Sequence, residues 1–122
     1  MIRCFFVEAL GDGTARRDGK IINISDLPPG AMWYADWYSR KGPDGHHLIV
    51  KTPGGDWHVD GRANNCTRGD DNKHYCWVRH GVPPLITVDK NGDTCGCGAS
   101  IGQGPGYRDY HGWLRGGELV PC

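Results

Sequence analysis

The sequence predicts a mainly β, small, single-domain fold, rich in loops and built from several hairpins. Three observations predict it. Gly and Pro are frequent, with 20 Gly and 8 Pro among 122 residues, and they punctuate the chain with turns. Leucine is scarce, and no long run repeats its apolar residues at the helix period. Short stretches rich in Val, Ile, Trp and Tyr lie between the turn residues instead, as strands do. A chain of this length suits one domain, 1–122, that buries a modest core. A single zinc site is expected to pin it, for reasons given below.

The elements follow in order. Ile2–Ala9 ("IRCFFVEA") reads as a first strand and "GDGTARRDGK" as a turn-rich loop. Lys20–Ser25 ("KIINIS") reads as a second short strand. "DLPPG" stops it, because Pro28 and Pro29 can continue neither a helix nor a central ladder. "AMWYADWYSR" fits two periods. Trp33/Trp37 and Tyr34/Tyr38 are four apart, as on a helix face, yet the same residues also alternate as on a strand. Aromatic enrichment and the flanking Pro and Gly select the strand. Its aromatics are expected to form core and rim rather than a dedicated binding platform.

"GPDG" is a turn. His46–Pro53 and Asp56–Gly61 read as the arms of a hairpin turned at Gly54–Gly55. His74–Gly81 and Leu85–Asp89 are further strands around Pro83–Pro84. Asn91-Gly92 carries the strongest short hairpin signal in the chain. "YHGWLRGGELVP" closes with a hairpin turning at Gly116–Gly117. No internal repeat or linker is evident.

Lys and Arg number 14, as do Asp and Glu, so the formal charge is zero. Bulk charge gives no case for nucleic acid, which selects a basic surface, nor for a polybasic membrane anchor. Arg16–Arg17 or Arg40–Lys41 offer local basic patches, but ordinary solvated charge is the simpler reading. The apolar run at the start is short and broken by Glu8, unlike a secretory signal. No segment approaches the ~20 apolar residues that cross a bilayer. The expected setting is a reducing compartment, where clustered cysteines serve as metal ligands more often than as disulfides. A virion component that leaves the cell would be free to oxidise afterwards.

Four of the six cysteines crowd into Asn64–Gly98, with the spacing C-x9-C-x18-C-x-C. A zinc ribbon has two close pairs; here the second pair is tighter and the first looser. Thiolate and imidazole are good zinc ligands, and four complete a tetrahedron. "NGDTCGCG" sets two thiols on a Gly-rich turn. His74 and Cys76 are two apart and on a strand would share one face; His80 lies four beyond. The candidate quartet is Cys66, Cys76 and Cys95 with either His74 or Cys97, holding one zinc per chain. The competing reading is reduced thiols, or a Cys66–Cys76 disulfide. A closed quartet would be structural and would contribute to folding.

Other constellations are weaker. Asp89, Asn91 and Asp93 open like an EF-hand loop, but Ser100 stands at position 12 and no Gly at position 6. "DGHH" (Asp44–His47) with His58 suggests a catalytic metal site if the hairpin brings His47 and His58 together, but no H-E-x-x-H supports hydrolysis. Ser25, Ser39 and Ser100 sit in no nucleophile motif. Asn65–Thr67 is a glycosylation sequon that matters only on secretion. "GASIGQGPG" lacks the Lys and frame of a phosphate loop and reads as a flexible loop.

The blocks "PGAMWYADW", "DWHVDGRANNCT", "HYCWVRHGVPP" and "TVDKNGDTCGCGASI…YHGWL" cover about residues 29–120. Through them the chain resembles a family of small proteins encoded by tailed bacteriophages. The resemblance supplies a setting rather than a mechanism. It implies a Cys66/His74/Cys76/Cys95 site, with Cys97 as an extra or substitute ligand. The expected function is non-enzymatic: a zinc-stabilised module that binds a host or phage protein in the host cytoplasm during infection. A virion part, such as a capsid decoration or accessory protein, is the alternative. A metal-dependent hydrolase is the third reading.

Overall fold

A computed structural model describes residues 1–62, 74–90, 101–102 and 110–121. The chain is mainly β. Its strands are β1 (Ile2–Arg3), β2 (Phe5–Phe6), β3 (Glu8–Ala9), β4 (Thr14–Arg17), β5 (Lys20–Asn23), β6 (Ala31–Tyr34), β7 (Leu48–Thr52), β8 (Gly55–His58), β9 (Trp77–Val82), β10 (Leu85–Lys90), β11 (Ile101–Gly102), β12 (His111–Arg115) and β13 (Glu118–Pro121). A 3-10 turn at Ile24–Asp26 follows β5. Among the described residues these strands form four small sheets, ordered β3-β4-β5, β2-β6-β7-β8, β10-β9 and β1-β13-β12-β11.

The expected first strand, Ile2–Ala9, is three short ones, each in a different sheet. β1 runs antiparallel to β13, β2 parallel to β6, and β3 antiparallel to β4. Cys4 and Val7 are both buried, three residues apart, and pack into different core clusters. Odd spacing already puts the two on opposite faces of a strand; the breaks come from a change of pairing partner, from β13 to β6 to β4. Just before β2 the chain lies against Gly30, whose φ is +102° and where a Cβ would come within 2.8 Å of the Arg3 carbonyl oxygen.

The expected loop after it is partly wrong. Thr14–Arg17 is a strand, and it pairs antiparallel with both β3 and β5. Asp18 and Gly19 make the two-residue turn, with φ of 51° and 78°, the left-handed pair that matches strand twist. The other hairpins stand close to their expected places. β7 and β8 join through Pro53–Gly54, one residue earlier than read from the sequence, since Thr52 pairs with Gly55. β9 and β10 join through Pro83–Pro84, and β12 and β13 through Gly116–Gly117. Ile101–Gly102, read as loop, pairs with β12.

The "AMWYADWYSR" segment is a strand only as far as Tyr34. Trp33 is buried, whereas Trp37 and Tyr38 are 57% and 43% exposed. The β2-β6-β7-β8 sheet lies between two cores. Met32, Leu48 and Val50 face one cluster, together with Trp57, Cys76 and Ile86. Ala31, Trp33 and Ile49 face the other, with Val7 and Leu27. A sheet covered on both faces needs an unbroken apolar run rather than alternation, and "AMW" and "LIV" supply it.

Candidate functional site

His74, Tyr75 and Cys76 lead into β9, which starts at Trp77. They precede the strand, contrary to the expected start at His74, but burial still alternates: His74 buried, Tyr75 half-buried, Cys76 fully buried. The two side chains meet, with His74 Nε2 3.5 Å from Cys76 Sγ. Zinc bonds of about 2.3 Å to sulfur and about 2.0 Å to nitrogen, set at the tetrahedral angle, leave the two ligand atoms about 3.5 Å apart. A thiol–imidazole hydrogen bond spans a similar distance, so the spacing fits a metal without demanding one. Cys66, Cys95 and Cys97 lie outside the described residues, as do Asn91–Asp93 and the sequon. Among the described residues no third His, Cys, Asp or Glu completes a metal-holding group. His80 points elsewhere, to an exposed pairing with Asp89 at 3.2 Å.

Two arginines fix this corner, Arg40 and Arg79, and Arg40 is not the solvated charge expected at Arg40–Lys41. The Arg40 guanidinium donates to the His74 carbonyl oxygen, and its Nε donates to the Asp60 carbonyl oxygen at 3.2 Å. It also lies 4.3 Å over the Tyr75 ring. Arg40 thereby ties the chain before β9 to the chain after β8.

Arg79 does the same one layer deeper. Its side chain is 1% exposed and reaches Asp60 at 3.0 Å and Asp44 at 2.6 Å. Asp60 also accepts from the Leu48 amide at 2.9 Å, and Tyr34 donates to Asp44 at 2.8 Å. Burial pushes the Asp44 carboxyl upward, but the Arg79 and Tyr34 hydrogen bonds outweigh it and hold the group well below the usual carboxylate range. Burial, then Asp44, pushes the Tyr34 phenol up to about 12. Gly42 packs so closely that a Cβ there would overlap the Arg79 guanidinium and the Asp60 carboxylate. The signal for Arg79 was present in "WVRH": strand alternation puts it on the face of Trp77.

The β7–β8 hairpin does bring His47 and His58 together. His47 Nδ1 lies 2.7 Å from the Arg40 carbonyl oxygen and its Nε2 lies 2.8 Å from His58 Nδ1. A carbonyl only accepts, so His47 Nδ1 carries a proton. In the neutral pair its Nε2 then accepts from His58 Nδ1–H, which leaves His58 Nε2 as the open acceptor. Both His47 nitrogens are therefore committed, and the pair presents one nitrogen rather than the two a catalytic metal reading needs. Tyr38 stacks on His47 at 4.7 Å and meets His58 edge-on at 4.9 Å.

Burial, then the neighbouring His47, lowers the His58 pKa. A histidine depressed in the folded state contributes stability that is present above the unfolded value of about 6.5 and is lost as pH falls through the folded value. NMR titration of the ring protons should therefore give His58 a midpoint below 6.5. A midpoint at or above that value would contradict the buried, His47-bonded placement.

His58 belongs to a cleft of about 650 Å³ on the outer face of β6-β7-β8. Trp33, Ile49 and His58 lie side by side across three strands and form its floor. Lys51 and Asp56 pair in the next row. Trp37, Tyr38 and Ser25 of the 3-10 turn also line it. Sequence reading named this aromatic run but weighed it as core and rim. The exposed pair lies past the end of the strand, where alternation no longer indicates which side chains are buried.

No described helix is long and apolar enough to cross a membrane. No protein-family model matches the chain, and no curated protein or solved structure matches it either.

Proposed function

We propose that the protein is a non-enzymatic binding module whose β9–β10 hairpin is pinned at its base by one zinc ion and docks on another protein at its far end. The carrying observation is the buried His74–Cys76 pair, with its two ligand atoms 3.5 Å apart immediately before β9. Cys66 and Cys95 are the proposed further ligands, with Cys97 as the substitute for His74. The metal's role is cross-linking: a closed four-ligand site supplies folding free energy and no open position for substrate.

The hairpin's other end supports the docking role. Val82 and Leu85 pair across the turn and are 77% and 66% exposed. β9 has six residues, so the tip stands about 20 Å from Cys76. Exposed apolar pairs on a rigid hairpin suit contact with a protein surface.

The resemblance to tailed-phage proteins makes a host or phage protein the proposed partner, met in the host cytoplasm. A virion accessory role is the second placement, and copy number in purified particles separates the two. Val82→Ser/Leu85→Ser should keep the zinc and the fold yet lose, by about tenfold or more, the partners that the parent captures from infected cells. Undiminished capture by this variant would overturn the hairpin reading.

His74→Ala and Cys97→Ser separate the fourth ligands. His74→Ala should release the zinc and Cys97→Ser should retain it. The reverse result would make the site all-cysteine, with His74 merely a buried neighbour of Cys76.

A further inference from the structure

The cleft on the outer face of β6-β7-β8 is independent of both the zinc site and the hairpin tip. It combines two features rarely left open together. Trp37 and Tyr38 present large aromatic surface to solvent, with 57% and 43% of each exposed. Around them stand hydrogen-bonding groups of both kinds. His58 offers the open Nε2 acceptor, Asp56 a carboxylate, and Ser25 a hydroxyl that both donates and accepts. Lys51 is directly opposite Asp56 in the strand register, and its ammonium already donates to the Ile24 carbonyl oxygen.

We propose that this cleft binds an uncharged oligosaccharide. A sugar ring has an apolar C–H face that packs on an aromatic ring, and hydroxyls at its edge that donate to carboxylate and imidazole and accept from hydroxyl. The cleft has both partners. Its volume, about 650 Å³, lies within the range of small-molecule sites. The charge balance does not favour anionic ligands. Lys51 keeps its charge while donating to the Ile24 carbonyl oxygen, so it and the opposite Asp56 sum to zero and the cleft offers a phosphate or sulfate no net attraction. A nucleic acid strand could stack on Trp37 but would bring a phosphodiester to Asp56. The lining comes from segments well apart in the chain: the turn at Gly13, the 3-10 turn after β5, β6 and the residues after it, and β7–β8. The cleft therefore exists only in the folded protein.

The test is isothermal titration of the zinc-loaded protein with maltohexaose, cellohexaose, chitohexaose, a sulfated hexasaccharide and a deoxyoligonucleotide, alongside tryptophan fluorescence. At least one neutral hexasaccharide should bind saturably and shift the emission. Trp37→Ala should weaken that binding by about tenfold or more. Because Trp37 is exposed, that variant is expected to fold, and its unchanged zinc content and melting temperature would show it. Asp56→Asn should weaken neutral-sugar binding, whereas a site that favours anions would gain from it. Val82→Ser, at the hairpin tip, should leave sugar binding unchanged. Three results would overturn the proposal: no neutral oligosaccharide binding at millimolar concentration, binding of only the sulfated or nucleic acid probe, or sugar binding undiminished in Trp37→Ala.

Discussion

Cys76→Ser should strip the protein of the proposed zinc and lower its unfolding free energy by several kcal/mol. The hydroxyl is a poor zinc ligand, and under the proposed zinc-pinned fold the metal's binding energy is part of the folding energy. The position makes the loss large. Cys76 is fully buried in the larger core cluster, beside the start of the strand that carries Trp77 and Arg79. Freeing it loosens the join between the β9–β10 hairpin and the β2-β6-β7-β8 sheet. Cys4→Ser and Cys122→Ser should both retain the metal. Burial pushes the Cys4 thiol up to about 11, which suits a neutral thiol in an apolar core and not a thiolate ligand. Urea unfolding with parallel zinc analysis tests all three. A Cys76→Ser protein as stable as its parent would count against a structural metal.

Arg79→Met should be the second most damaging change, at about 3–5 kcal/mol, because it leaves buried carboxylates without their cation. Asp60 is 4% exposed and Asp44 31%, so water can relieve only the second. The zinc should remain bound, which separates this loss from the first. The pH dependence has a definite sign. Asp44 is held well below the usual carboxylate range, so its contribution is present above about pH 4 and is lost only as pH falls through the lowered folded value. Arg79→Met should reduce that acid-side slope, leaving the part that the Tyr34 and His46 amide hydrogen bonds to Asp44 supply. Denaturation of the variant within about 1 kcal/mol of the parent would show that the pairing is not structural.

The hairpins were legible because their turns are written in residues with special backbone freedom. Gly116–Gly117 and Pro53–Gly54 fall within a residue of where sequence puts them. Asp18-Gly19 carried the same signal but was absorbed into a polar loop, because "TARR" has only one side chain that ends up buried, Ala15. The breaks in Ile2–Ala9 were illegible for a different reason. Local alternation puts Cys4 and Val7 on opposite faces, but it does not display that the chain changes partner strand twice between Ile2 and Ala9.

The candidate sites divide in the same way. His47 and His58 could be brought together from the hairpin alone, since they lie on its two arms. The ion pairs of Arg79 with Asp44 and Asp60 could not, because they join segments 35 and 19 residues apart. Arg40 is the plainest case. As "RK" beside a Pro-Gly turn it looks solvated, yet its partners are backbone carbonyls that no sequence pattern displays.

Elemental analysis of the protein purified under reducing conditions tests the central claim most directly. About one zinc per chain, retained through gel filtration and released when the thiols are modified, is the predicted result. Protein that carries no metal, with Cys66 found by mass spectrometry in a disulfide, would contradict it.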